Sequence, residues 1–100
     1  MTVRFHPAAA EELLEAEWYI EERRPGWGSR FRDRVEEAIH YALSKPGNCV
    51  QSYGPDFCSV RVLRFRYRIY YRWVGEVLVV HAVYHDSRKE QGWEGRTVEP

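Results

Sequence analysis

The stretch from Ser59 to Tyr84, SVRVLRFRYRIYYRWVGEVLVVHAVY, decides the fold of this chain. It holds three segments rich in β-branched and aromatic residues, separated only by short breaks, and this pattern predicts an antiparallel meander. Between Ser59 and Arg72 the stretch contains no acidic residue, but it carries five arginines: Arg61, Arg64, Arg66, Arg68 and Arg72. A sheet face that shares these arginines would be strongly cationic and would attract phosphate or an acidic protein segment.

Alternation along the three segments predicts which side chains enter the core. From Tyr67 to Trp73 the odd-numbered residues are expected in the core and the even-numbered ones on the arginine face, which puts Tyr70 beside Arg68 and Arg72. In the first segment the alternation changes parity near Leu63, where we predict a β-bulge.

In the last segment, Val77 to Tyr84, both the odd-numbered and the even-numbered positions are mainly apolar. This is typical of a central strand that is covered on both sides, or of one whose second face awaits a partner. His81 within it is expected to be a hydrogen-bonded histidine of the core or of a partner-binding face.

The chain before Ser59 predicts one strand and a pair of helices. Thr2 to His6 alternates like a short strand, and Pro7 is acceptable as the first residue of a helix that ends near Arg24. Pro25-Gly26 breaks this helix, and a second apolar repeat begins almost at once and ends near Ser44. Residues 45–58 are expected to be irregular.

The predicted fold is therefore a single α+β domain spanning residues 1–100, with the order β-α-α-β-β-β. A helical hairpin would pack on a mainly antiparallel four-stranded sheet. Residues 90–100 are expected to form a loose tail apart from Trp93.

Composition excludes several classes of protein. No apolar run approaches the ~20 residues that span a bilayer, and no signal pattern begins the chain, so we expect a cytoplasmic protein. There is no glycine-rich phosphate loop, and the pattern predicts neither a metal nor an organic cofactor. Cys49 and Cys58 are expected to be free thiols in a reducing compartment, with a disulfide between them as the alternative.

Four stretches taken together resemble toxins of the RelE/ParE superfamily of type II toxin–antitoxin systems. They are Val3-Arg4-Phe5-His6-Pro7, the hairpin from Glu21 to Gly28, the strand from Phe65 to Arg72, and Val83-Tyr84-His85 followed by Arg88. The resemblance covers residues 2–93 and is closest to the ParE branch. It implies a toxin that is held in a hetero-oligomer with its cognate antitoxin.

The RelE branch consists of ribosome-dependent messenger RNA endoribonucleases, and this chain resembles it only in part. Arg61, Arg68 and Arg88 match its basic positions, but Leu63 stands where a second sheet lysine is expected. Trp93 is the aromatic near the C-terminal catalytic position, and its indole N–H can donate but cannot accept a proton. His85 would then have to act as the acid or base, in a metal-independent ribonuclease built from Arg61, Arg68, His85 and Arg88.

The ParE branch poisons DNA gyrase without chemistry of its own, and this is our first hypothesis. A ribonuclease and a degenerate, non-toxic binding module are the alternatives. The residues predicted to bind the target are Arg61, Arg68, Tyr70, Arg72, His85, Arg88 and Trp93. Those predicted to bind the antitoxin are Trp18, Trp27, Arg64 and Arg66.

Overall fold

Two helices pack on one face of a mixed five-stranded sheet in a computed structural model of the protein, which describes residues 2–88 and 92–96. In chain order the elements are β1 (Thr2–Phe5), α1 (Pro7–Arg23), α2 (Trp27–Leu43), β2 (Gln51–Tyr53), β3 (Phe57–Val62), β4 (Tyr67–Val74), β5 (Val77–His85) and a short 3-10 helix (Gly92–Gly95). The strands lie in the order β1-β5-β4-β3-β2. β1 runs parallel to β5, and all the other pairs are antiparallel. The α+β class, the helical hairpin and the meander are confirmed.

The helical hairpin is shaped by local hydrogen bonds at its ends. Pro7 is the first residue of α1, as predicted, and His6 Nδ1 accepts the Ala8 N–H at 3.0 Å, a helix cap that sequence reasoning missed. At the turn, Gly26 adopts a φ of 89°, which favours glycine. The Glu21 carboxylate accepts the N–H groups of Gly26 and Gly28, each at 2.9 Å. These two hydrogen bonds lower the pKa of Glu21.

The sheet has five strands rather than the predicted four, because β2 lies within the stretch expected to be irregular. β2 pairs Gln51 with Ser59 and Tyr53 with Phe57 at the edge of the sheet. Only three residues long and largely exposed, it carries too little alternation to be recognised from sequence.

The bulge predicted near Leu63 is wrong. β3 ends at Val62, and Leu63 lies exposed in the turn to β4, so the change of parity there is simply the end of a strand. A bulge does occur on β5, where Tyr70 pairs with Ala82 but Tyr71 pairs with Val80. His81 therefore has no residue opposite it.

The sheet has a core on each face. We call the side under α1 and α2 the helix face. It buries Tyr71 and Ile69, with Tyr67 and Trp73 packed at the margin, as predicted. On the opposite side, the second face, a smaller cluster contains Tyr70, Ala82, Tyr84 and Trp93. Of the two alternatives predicted for β5, coverage on both sides is the one that the structure shows.

The segment 92–96 forms part of this second core. Trp93 is completely buried, and its ring centre lies 4.8 Å from those of both Phe57 and Tyr70. Arg96 donates to the His81 carbonyl at 2.8 Å and binds both oxygens of Glu12, while Glu12 also accepts the Val83 N–H. The Glu12–Arg96 pair thus supplies hydrogen-bond partners for backbone groups at the edge of β5 beyond Val80, where the pairing with β1 ends. The loose tail predicted for residues 90–100 is not found at 92–96, and its remaining residues lie outside the described ranges.

Cys49 and Cys58 form a disulfide, with 5.2 Å between their Cα atoms. The expectation of two free thiols is therefore wrong, and the alternative holds. The residues flanking Cys49 are tied to the sheet as well: Val50 N–H donates to Tyr71 Oη, and Trp73 Nε1 donates to the Asn48 carbonyl. β2 pairs Ser52 with Cys58, so Cys49 reaches Cys58 only through the path of the chain before β2, and this contact is not encoded in the spacing of the two cysteines.

Candidate functional site

The predicted target-binding arginines converge on the second face. Arg61 on β3 lies directly opposite Arg68 on β4. Arg61 is exposed, whereas Arg68 is held by hydrogen bonds from Nη1 to Gln51 Oε1 at 3.0 Å and to Ser59 Oγ at 3.1 Å. Like charges facing each other across strands destabilise a sheet. An anion bound between these two guanidinium groups would remove that repulsion.

Three other predicted target-binding residues are less accessible. Tyr70 is 7% exposed and Trp93 is 0% exposed, both within the aromatic cluster. Arg72 is half-buried, and its Nε lacks a hydrogen-bond partner among the described residues. Since a buried side chain cannot touch a macromolecular target without displacement, Tyr70 and Trp93 can influence the surface only by supporting it.

His85 lies on the other side of the sheet from Arg68. Its ring meets that of its register partner Tyr67 at 5.1 Å and nearly at a right angle, and Tyr67 packs on Phe31 of α2. The register partner of Arg68 is Tyr84, which belongs to the cluster on the second face. Neighbouring positions of one strand point to opposite faces. Arg68 and His85 are thus directed away from each other.

The hydrogen bonds of His85 are also local. Its Nδ1 accepts the Ser87 N–H at 3.0 Å and lies 2.7 Å from Ser87 Oγ, so the ring caps the turn after β5. Arg88 stacks over the Tyr84 ring, with Cζ 4.0 Å from its centre. His85 and Arg88 share a cleft of about 240 Å³ with Tyr19 and Glu15 of α1. The four predicted ribonuclease residues are therefore not gathered into one site, because His85 is separated from Arg61 and Arg68 by the sheet.

A groove that the sequence did not reveal lies between α2 and β3. It has a volume of about 430 Å³, and two exposed apolar side chains, Tyr41 and Leu63, line it together with Val60. β2 pairs with β3 only at 57–59, so residues 60–62 form an open sheet edge beside the groove. Arg61 and Arg68 lie at its rim. An extended peptide with apolar and acidic side chains would fit this combination.

The residues predicted to bind the antitoxin are all at or near the surface. Trp18 is 65% exposed on α1, one helical turn from the equally exposed Leu14. Trp27, at the start of α2, is half-buried and in contact with Phe65. Arg64 and Arg66 are exposed in the turn between β3 and β4. Their role in antitoxin binding stays a prediction.

Within 2–88 and 92–96, no three His, Cys, Asp or Glu residues are grouped so that they could hold a metal ion. No helix of these same residues combines the length and apolarity needed to cross a membrane.

Two helices packed on a mixed five-stranded sheet are consistent with the fold of the RelE/ParE toxins of type II toxin–antitoxin systems. Residues 3–90 match the family model described as the ParE toxin of the type II toxin–antitoxin system, parDE. The chain therefore belongs to the ParE toxin family, and membership implies an antitoxin partner. A comparison with curated proteins found no match.

Proposed function

We propose that this chain is a cytoplasmic, ParE-like toxin that arrests growth by poisoning DNA gyrase and is neutralised by a cognate antitoxin. The observation that carries the proposal is the cationic pair of Arg61 and Arg68, which lies on the opposite side of the sheet from His85. Arginine, which keeps its positive charge at any physiological pH, stabilises anions but is a poor general base. This surface is suited to binding rather than to phosphodiester cleavage.

The pair is also preorganised for an anionic target. Hydrogen bonds to Gln51 and Ser59 fix the Arg68 guanidinium, and the neighbouring Arg61 is exposed to solvent. Gyrase held on cleaved DNA offers phosphates and acidic side chains, and both form charge-assisted hydrogen bonds with arginine. The aromatic cluster lies beside the pair on the same face and packs the strands that carry it, so little ordering is required on binding.

The gyrase target is tested with the purified full chain in supercoiling and cleavage assays. We expect cleaved DNA to accumulate at micromolar toxin, and Arg61→Gln to reduce this by about tenfold, since it removes an exposed charge without breaking a hydrogen bond. The matched control is Lys45→Gln, which removes an exposed cation stacked on Tyr41 of α2. Messenger RNA cleavage on translating ribosomes, with gyrase unaffected, would contradict the proposal. Expression without growth arrest would point to the non-toxic module.

For the antitoxin we assign the groove between α2 and β3 to an extended, acidic segment of that protein. The open edge at 60–62 offers unpaired backbone groups for an added strand. Leu63 and Tyr41 offer apolar contacts, and Arg61 and Arg68 offer charge complementarity at the rim. Occupation of this groove would also cover the arginine pair, which gives a direct physical route to neutralisation.

A charge placed in this groove should weaken the complex. We expect Leu63→Glu to cost about 2 kcal/mol or more of binding free energy, because it puts a carboxylate where an apolar anchor is needed. The partner is the product of an adjacent small reading frame, and affinity is measured by calorimetry. Thr2→Glu, which adds the same charge at the opposite edge of the sheet, is the control. Equal losses from both substitutions, or none, would overturn the groove assignment.

A further inference from the structure

A second cationic surface lies at the end of the helical hairpin. We call it the arginine end and define it by Arg23, Arg24, Arg30 and Arg64, which are all exposed. None of the four makes an ion pair among the described residues. The nearby Glu21 is already engaged by two backbone N–H groups.

The guanidinium groups of the arginine end are held in place by aromatic rings. Arg24 Cζ lies 3.8 Å from the centre of the Trp27 ring and Arg30 Cζ lies 5.0 Å from it, while Arg23 stacks on Tyr19 at 4.3 Å. A stacked guanidinium keeps the N–H groups in its plane free for two parallel hydrogen bonds to an oxyanion. The rings therefore orient the charges without neutralising them.

Arg64 stands between two cavities. One, of about 220 Å³, is walled by Tyr19, Ile20 and Trp27, and the other, of about 320 Å³, lies on the Arg30 side of the hairpin. Arg64, Trp27 and Phe65 line both. The first cavity has no carboxylate in its lining, whereas the second also contains Asp33 and Glu37, and Glu37 is paired with Arg34. The surface thus presents a cavity, then the Arg64 guanidinium, then a second cavity.

The backbone of Arg64 provides an independent observation. Its φ is 70°, and it is the one residue other than glycine with a positive φ in the described part of the chain. Arginine in this left-handed region costs about 1 kcal/mol relative to the conformation it prefers, whereas glycine would adopt it freely. A turn that needed only to reverse the chain would be more stable with glycine. The strain indicates that the side chain itself is used.

We propose that the arginine end binds a single strand of nucleic acid, with one phosphate at Arg64 and an unpaired base in each flanking cavity, stacked on the ring-held guanidinium group of Arg24 in one and of Arg30 in the other. The alternation of cavity, charge and cavity matches base, phosphate and base, whereas a purely acidic peptide carries no rings between its charges. All four cations are arginines, which bind phosphate through two hydrogen bonds where lysine offers a point charge. The proposal is independent of the gyrase target and of the groove that we assign to the antitoxin.

The test is fluorescence anisotropy of the full chain with labelled strands of about 12 nucleotides. RNA, single-stranded DNA and duplex DNA are the three probes, and polyglutamate is the competitor. We expect the single strands to bind more tightly than the duplex, and the RNA and DNA arms show which sugar is preferred. Arg30→Gln/Arg64→Gly should weaken binding by about tenfold and lower the salt dependence by about two counterions, whereas Arg4→Gln should do neither.

Arg64→Gly also separates binding from folding. Because it relieves the backbone strain, its thermal midpoint should equal or exceed that of the parent while affinity falls. The proposal is overturned if the parent chain binds no probe, if duplex binds as tightly as the single strands, or if Arg4→Gln has the same effect as the double variant. Displacement of the strands by polyglutamate at equal charge concentration would instead identify an acidic protein segment as the ligand, which also overturns it.

Discussion

Trp93→Ala is expected to lower the free energy of unfolding by about 3–5 kcal/mol. The indole is completely buried and packs against Tyr53, Phe57 and Tyr70, so its removal leaves a large cavity in the smaller of the two cores. A loss of this size is a large part of the stability of an ordinary domain. Urea unfolding followed by circular dichroism measures it.

Trp93→Phe is the matched control. The Trp93 N–H has no hydrogen-bond partner among the described residues, so phenylalanine removes volume without breaking a hydrogen bond. We expect it to cost less than half as much as alanine, and to leave growth arrest unchanged because Trp93 does not reach the surface. Loss of toxicity in a stably folded Trp93→Phe protein would support the sequence-based prediction that Trp93 contacts the target directly.

Acidification is expected to destabilise the fold through His81. This ring is 1% exposed, and burial, reinforced by the charges of Arg72, His6 and Arg96, lowers its pKa from 6.5 to about 4. Between these two values the unfolded chain binds a proton at His81 and the folded chain does not. The free energy of unfolding should therefore fall as the pH drops from 6.5 to about 4, by about 3 kcal/mol from this residue, and the loss is complete below that.

The measurement is the urea midpoint at intervals of pH across that window. His81→Leu should flatten the profile, whereas the exposed His40→Gln should leave it as in the parent. The hydrogen bonds from Gly26 and Gly28 lower the pKa of Glu21 from its ordinary value of 4.5. Protonation of Glu21 therefore lowers the free energy of unfolding only below pH 4.5, at the acid end of the same profile. An unchanged slope in His81→Leu would show that another group causes the acid sensitivity.

The local patterns predicted most of the fold because they report on short-range physics. The proline at the start of α1, the Pro25-Gly26 break and the alternation of Tyr67 to Trp73 each reflect the conformational preferences of a few adjacent residues. β2 was missed because three largely exposed residues become a strand only when β3 is present to pair with them. The bulge was misplaced because a change of parity at Leu63 looks the same whether a strand bulges or ends.

The candidate site, like the fold, could be predicted from the sequence only in part. The sequence was sufficient to identify an arginine-rich strand pair, but only the register shows that Arg61 and Arg68 lie opposite each other. It could not show that Tyr70 and Trp93 are buried together, since the contact depends on 92–96 folding back across the second face. It also could not reveal the groove at Tyr41 and Leu63, because these residues come from a helix and a turn distant in the chain.

By itself, then, the sequence determined the class of the fold and the cationic character of the meander, since both depend on residue type and local spacing. The family was indicated by resemblance to known toxins. Tertiary structure alone decided which charges share a surface. The pleat of β4 and β5 sends Arg68 and His85 to opposite faces, and the bulge at His81 turns a titratable ring into the second core. These outcomes follow from strand pairing between distant segments, and no local pattern carries that information.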